Sequence, residues 1–175
     1  MIHHDVLIVG TGVMGVALAN SINSDELSIG IIESNPEPYL SKRHLSINQK
    51  SLNFFKDLDV WKEIEPNAYP YRKIKVWDQE GSGYIEFDSQ EANIDLLGHI
   101  VSEGKIQKSL IDSLETKKVN FYWNNKLLDI KKNTSDIICT TSNDQISCKF
   151  LIGCDGVNSS VRDLGKFESR FWSYN

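Results

Sequence analysis

Cysteine is scarce in this 175-residue sequence: the three present, Cys139, Cys148 and Cys154, form no Cys-x-x-Cys pair and leave an odd thiol. That pattern excludes a disulfide framework and a zinc ribbon, and it points to a reducing, cytoplasmic compartment. The four histidines add no metal-ligand spacing, so no metal site is expected. Positive charge is also short. Nineteen Lys and Arg stand against twenty-four Asp and Glu, a net charge of -5 with no basic block, which argues against nucleic acid as a partner. Long hydrophobic runs are missing as well. The longest, Val6 to Ala19, is broken by three glycines and falls short of the roughly 18 residues that a membrane span requires. It lacks the basic segment and cleavage site of a signal peptide. With only four prolines and no repeat or low-complexity tract, collagen-like and disordered chains are excluded. What remains is an ordinary globular composition, 40% hydrophobic and 25% charged, at about one domain's length.

Val6-Leu7-Ile8-Val9 is a continuous β-branched-rich run stopped by Gly10, the pattern of a strand buried on both faces of a parallel sheet. From Val13 the period changes, and Val-Met-Gly-Val-Ala-Leu-Ala-Asn-Ser-Ile reads as a helix held close to that strand by small residues. A second buried strand follows at Ile29 to Glu33, completing a βαβ unit whose crossover should be right-handed. Pro36 and Pro38 end the unit, and Ile47, Leu52, Phe55 and Leu58 then share one face of a second helix. Lys73 to Trp77 and Tyr84 to Phe87 alternate around Gln-Glu-Gly-Ser-Gly as a hairpin. Ile106, Leu110, Ile111 and Leu114 recur at three and four, giving a helix over Glu103 to Thr116 with Ser102 available as its cap. Val119 to Trp123 reads as a further parallel strand. The runs Leu127 to Lys131, Ile137 to Thr141 and Gln145 to Ile152 alternate like a meander, joined by Asn-Thr-Ser-Asp and Ser-Asn-Asp turns.

Gly10-Thr11-Gly12-Val13-Met14-Gly15 matches G-x-G-x-x-G, and its position between a strand and a helix is what gives the match weight. Gly10 permits a tight turn, Gly12 lets backbone N–H groups approach a pyrophosphate, and Gly15 lets the helix sit close to the sheet. The helix that opens at Val13 and Met14 presents partial positive charge to an anion. Glu33 closes the next strand 23 positions after Gly10, near the roughly 20-residue offset of a ribose-binding acid. Its negative charge would repel a 2'-phosphate. FAD and NAD both present an adenosine ribose and a pyrophosphate, so these residues alone do not separate them. A plain tight turn is the bland alternative.

A second segment, Leu151-Ile152-Gly153-Cys154-Asp155-Gly156-Val157-Asn158-Ser159-Ser160-Val161-Arg162, runs from a buried strand through Asp-Gly into a helix start. Asp155 can accept a bond from a sugar hydroxyl or cap the turn, Gly156 permits positive φ, and Arg162 can pair with a carboxylate or phosphate. A structural Arg-Asp pair is the bland reading here. With the N-terminal fingerprint, this segment resembles the second motif, Asp-Gly-x-x-Ser-x-x-Arg, of the flavoprotein monooxygenases of the aromatic hydroxylase class. The likeness is closest to the ubiquinone-biosynthesis hydroxylases. It continues through Lys42-Arg43, Ser46-Ile47 and the helix Ser51 to Leu58, through Ile74-Lys75-Val76-Trp77-Asp78, and through Leu97-Gly98-His99-Ile100-Val101.

The resemblance implies a Rossmann-like FAD-binding α/β fold with an inserted hairpin and meander, truncated relative to the two-domain hydroxylase fold. Residues 1–70 and 98–175 would form an incomplete FAD-binding domain, and 71–97 the start of the substrate-domain sheet. FAD would lie with its pyrophosphate over Gly10, Gly12, Val13, Met14 and Gly15 and its adenosine ribose on Glu33, with Arg43 as a flavin-side contact. Asp155, with Gly156, would hold a ribose hydroxyl, and with Arg162 would organise the approach of NAD(P)H. Ser102-Glu103 stands where the ubiquinone group often carries Glu-Asn. Family members are about twice as long, and the chain stops at Phe171-Trp172-Ser173-Tyr174-Asn175, where their next core strand would begin.

The expected function is therefore NAD(P)H- and O2-dependent hydroxylation of an aromatic, ubiquinone-precursor-like substrate, with this chain an N-terminal portion inactive by itself. Peripheral association with a membrane or a biosynthetic complex is compatible with such lipophilic substrates. The alternatives are a non-catalytic dinucleotide-binding or interaction module and a nicotinamide dehydrogenase. No catalytic side chain is nominated, since the cofactor carries the chemistry and Ser159 and Ser160 lack a Gly-x-Ser-x-Gly context. His3 and His4 read as a solvated tail, His99 as structural or surface, and the Tyr and Trp residues as core and hairpin.

Overall fold

The computed structural model describes residues 1–22, 24–38, 40–170 and 172–173. In chain order the elements are β1 (Ile2–Val9), α1 (Val13–Ser21), β2 (Ile29–Ile32), β3 (His44–Asn48), α2 (Gln49–Asp57), α3 (Trp61–Ile64), β4 (Tyr69–Tyr71), β5 (Lys73–Trp77), β6 (Tyr84–Asp88), β7 (Gly98–Ser102) and α4 (Glu103–Leu114). They continue as β8 (Val119–Tyr122), β9 (Leu127–Lys132), β10 (Ile137–Thr141), β11 (Gln145–Gly153) and α5 (Ser160–Leu164). The chain divides into two compact units, Met1–Tyr39 with Leu110–Asn175, and Leu40–Ser109. The expected strand beginning at the C-terminus falls partly on residues outside those described.

The first unit is built on a six-stranded sheet in the order β8-β2-β1-β11-β10-β9. β8, β2, β1 and β11 run parallel, and β10 returns antiparallel between β11 and β9. The continuous apolar runs have their cause in this arrangement: Leu7, Ile8, Ile29, Ile31 and Ile32 are fully buried, as strands covered on both faces must be. A cluster of Leu7, Val9, Ile32, Leu127, Cys139, Ile146, Cys148 and Val161 fills one side, and α5 packs on β9 and β11 there. Cys139 and Cys148 lie on neighbouring strands and carry free thiols. In α1, Val16, Ala17 and Ala19 are buried together with Asn20. The buried carboxamide of Asn20 is satisfied: Nδ2 donates to the Val16 and Leu110 carbonyls, and Oδ1 accepts from Ser113 Oγ and Lys117 Nζ.

β1 begins at Ile2, so the reading of His3 and His4 as a solvated tail is corrected. His3 Nδ1 bonds Ser147 Oγ at 2.9 Å, and His4 is only 4% exposed, with Nε2 2.7 Å from the Tyr122 hydroxyl. Gly30 makes room for this pair: a Cβ there would lie 2.6 Å from His4 Cδ2. Burial holds the His4 imidazole below its ordinary pKa, and neighbouring His3 lowers it further against an opposing pull from Asp5.

In the second unit β3 and β4 flank β7 antiparallel, and among the described residues β5 pairs only with β6. Ile47 belongs to β3, so the expected apolar helix face begins later. α2 starts at Gln49, where the side chain of Asn48 accepts from Ser51 N–H as its cap. Strand alternation and helical spacing both fit an apolar residue at 47, and pairing with β7 decides between them. Trp61 and His99 meet edge to face at 5.4 Å. The expected hairpin forms, with the register Lys73↔Asp88 to Trp77↔Tyr84. One face carries Lys73, Lys75, Glu86 and Asp88, with Lys73 Nζ 2.7 Å from Asp88, while Ile74, Val76, Ile85 and Phe87 alternate onto the other face and are exposed. Trp77 and Tyr84, in the hairpin as expected, are likewise exposed.

Candidate functional site

The site grows from the C-terminal ends of β1 and β11, which are parallel neighbours with Val9 opposite Gly153. Each strand runs into a glycine-bearing turn; Cys154 N–H donates to Val9 O at 2.7 Å between them, and Gly10 N–H donates to Ile32 O at the end of β2 at 2.8 Å. Gly10 has φ +105°, and a Cβ on it would lie 2.5 Å from the Cys154 carbonyl oxygen and 3.0 Å from Asp155 Cα. No side chain fits where these two turns pass. A Cβ on Gly15 would collide with the Gly10 carbonyl, so α1 can start this close to β1 only with glycine at that position.

Gly12 is different. It is exposed, its φ is -58°, and a Cβ there would meet nothing within 4 Å. Glycine is therefore not required at 12 by the protein's own packing. It leaves a bare approach to the start of α1, where no side chain caps the helix and the first amides, at Val13 and Met14, begin the run that helices leave without internal partners. Uncapped amides beside an open backbone surface suit a pyrophosphate.

Glu33 follows β2 and is buried, with 9% of the residue exposed. Oε2 accepts from Thr11 N–H at 3.0 Å and Thr11 Oγ1 at 2.8 Å. Oε1 accepts from Asn35 N–H at 2.9 Å, Asn35 Nδ2 at 2.8 Å and, more weakly, Ser34 Oγ at 3.2 Å. Burial favours the neutral acid, but the donors from Asn35, Thr11 and Ser34 outweigh it and hold the carboxyl below its ordinary range. Glu33 is thus an anion tied to the glycine turn itself.

Asp155 accepts from Ser159 Oγ at 2.6 Å and from Val161 N–H at 3.1 Å, and Ser159 Oγ in turn accepts from Arg162 N–H as the cap of α5. Gly156 has φ +82°, the conformation the Asp-Gly pair suggested. The Arg-Asp pairing between these motif residues does not form: Arg162 Nη1 donates to Val157 O at 2.9 Å and Nε to Asp163 at 3.2 Å. Arg43 lies in the second unit and makes a bidentate pair with Glu103, both bonds 2.9 Å, which lowers the Glu103 carboxyl. Glu103, part of the segment that departs from the ubiquinone-group pattern, is thus the partner of the predicted flavin-side arginine.

The structure brings together Gly10, Gly12, Val13, Met14, Gly15, Glu33, Asp155 and Gly156 around two adjoining turns, with Arg162 at the far end of the second. Sequence reading missed Thr11 and Asn35, which hold Glu33. The only available signal was a hydroxyl at the variable position of Gly-x-Gly. Among the described residues no group of three or more His, Cys, Asp or Glu could hold a metal ion, and no helix is long and apolar enough to cross a membrane.

A parallel sheet carrying a glycine turn, an uncapped helix start and an acid at the end of the next strand defines a Rossmann-like dinucleotide-binding domain. The sequence matches the FAD binding domain family over residues 3–171, and the chain belongs to that family. It is 28% identical over 179 residues to the 3-demethoxyubiquinol 3-hydroxylase of Escherichia coli (strain K12), covering 97% of this chain and 46% of that protein. It is 26% identical over 195 residues to the human mitochondrial ubiquinone biosynthesis monooxygenase COQ6, covering 98% and 41%. Among solved structures, p-nitrophenol 4-monooxygenase PnpA from Pseudomonas putida superposes with a TM-score of 0.80 at 17% identity, covering 94% of this chain and 44% of that one. The flavin-dependent monooxygenase PieE, solved in complex with FAD and substrate, superposes at 0.79 with 14% identity, covering 94% and 32%. The chain spans less than half the length of these relatives.

Proposed function

We propose that this chain is the FAD-binding portion of a monooxygenase that uses NAD(P)H and O2 to hydroxylate an aromatic, ubiquinone-precursor-like substrate. The observation that carries the reading is the bare Gly12 backbone at an uncapped helix start, flanked by an ionised Glu33 and by the Asp155 turn. The ubiquinone-biosynthesis relatives support the substrate class. In this reading Gly10 to Gly15 seat the pyrophosphate, Glu33 receives the adenosine ribose, Asp155 and Gly156 border a second sugar contact, and Arg43 approaches the flavin. Residues 71–97, which include the β5–β6 hairpin, begin the substrate-domain sheet, while 1–70 and 98–175 hold the cofactor. FAD when bound would supply the electron and oxygen transfer. The chain's own part is to bind and orient it, and turnover requires residues beyond these 175.

The test is an FAD titration of the 175-residue chain, followed by flavin fluorescence, with Gly12→Val and Asp155→Ala alongside. Saturable binding that Gly12→Val abolishes and Asp155→Ala weakens is expected, with no NAD(P)H oxidation coupled to product. Tighter binding of NAD than of FAD would replace this reading with that of a nicotinamide-binding module.

A further inference from the structure

Glu33 is the acid on which the reading above seats a ribose, yet all of its acceptor capacity is already used. An ionised carboxylate offers about four lone-pair sites. Two go to backbone donors, Thr11 N–H on Oε2 and Asn35 N–H on Oε1. The other two go to side chains, one on each oxygen and each at 2.8 Å: the Thr11 hydroxyl on Oε2 and the Asn35 carboxamide on Oε1. Ser34 Oγ, at 3.2 Å, adds a fifth donor. One donor on each oxygen of a single carboxylate is the arrangement that a vicinal diol would supply.

We propose that Thr11 Oγ1 and Asn35 Nδ2 occupy the diol subsite of Glu33 and must be exchanged for the two ribose hydroxyls when a dinucleotide binds. The backbone donors divide the work differently. They hold the carboxylate in orientation whether or not a ligand is present, because they do not depend on side chains. Thr11 and Asn35 are therefore specificity residues that tune affinity downward and keep the acid ionised and satisfied in the ligand-free chain, where an unmet buried carboxylate would be costly. Thr11 is buried and Asn35 exposed, so the two exchange by different routes. Asn35 can swing into water, whereas the Thr11 hydroxyl must rotate toward another acceptor.

The inference rests on the ribose reading of Glu33, and the experiment separates their failures. FAD, ADP and 2',3'-dideoxy-ADP are titrated by calorimetry into the wild-type chain, Thr11→Val and Asn35→Ala, and the Glu33 carboxyl is followed by NMR against pH without ligand. Removing one competing hydrogen bond should tighten FAD and ADP by about two- to tenfold, and leave 2',3'-dideoxy-ADP unchanged. The ligand-free Glu33 pKa should rise in both variants. Equal or weaker binding of ADP in both variants, or equal tightening of the dideoxy analogue, overturns the exchange while leaving FAD binding intact. A wild-type chain that binds none of the three while Glu33 still titrates as expected overturns the ribose reading and the exchange with it.

Discussion

At the scale of single residues, the two turns of the site differ in what they tolerate. Gly10→Ala places a Cβ against Cys154 O at a backbone φ of +105°, and should destabilise the fold by about 1–3 kcal/mol from backbone strain alone, measured by urea denaturation. Gly12→Val meets open space, so it should leave the folded chain intact while removing the anion's approach. The contrast separates a glycine kept for packing from one kept for a ligand. His4 supplies a second residue-scale prediction. Its folded pKa is depressed, so the unfolded chain takes up the proton first. Stability is then complete above the ordinary histidine value of about 6.5 and is lost as pH falls through the folded value. Melting temperature should therefore drop between pH 7.5 and 5.5, and the paired change His4→Phe with Tyr122→Phe should flatten that slope. Nothing in the local sequence announces this pair, because Tyr122 is 118 positions away and the slot for the ring is made by a glycine on a third strand. Thr11 and Asn35 escaped notice for a related reason: motif patterns constrain the glycines and the acid, not the side chains that keep the acid occupied.

At the scale of elements, the βαβ start, the hairpin and the meander were legible from the sequence, since each has one dominant period and its own turn chemistry. Ile47 was not, because a lone apolar residue fits strand and helix equally until β7 pairs with it. The three-stranded sheet of β3, β7 and β4 was missed as an element because its strands are short and lie far apart in sequence. The same logic orders local stability. Among the described residues β5 and β6 have only one another as partners, they are exposed over most of their length, and isolated two-stranded ribbons are marginal. Their amides should exchange with solvent orders of magnitude faster than those of β1, which is paired on both sides, in a native-state hydrogen-exchange measurement. At the other end of the site, Ser159 caps α5 and also donates to Asp155. Ser159→Ala should cost about 1 kcal/mol, seen in chemical denaturation, and loosen the Asp155 turn.

At the scale of the whole molecule, ligand and fold are linked. FAD that binds only the folded chain adds stability by mass action, about 2.7 kcal/mol at a free concentration a hundred times the dissociation constant. The melting temperature of the wild-type chain should climb with added FAD, and that of Gly12→Val should not. The family and the class of cofactor were readable because two distant motifs converge on adjoining strands, but the division into units was harder to see: it falls both between positions 39 and 40 and between Ser109 and Leu110, the latter inside one helix, with no change of composition to mark it. The meander carries one more consequence. Cys139 and Cys148 are sealed within the sheet's core, where the neighbouring thiol and burial push the Cys139 sulfhydryl far up, while Cys154 near the site is only partly covered. An alkylating reagent in solution thus reaches the partly covered Cys154 first, slowed by the burial and the Asp155 charge that raise its thiol pKa, and the other two only when β10 and β11 part. The chain carries its own stopwatch, in which the interval between the first modified sulfur and the next two times the breathing of the core.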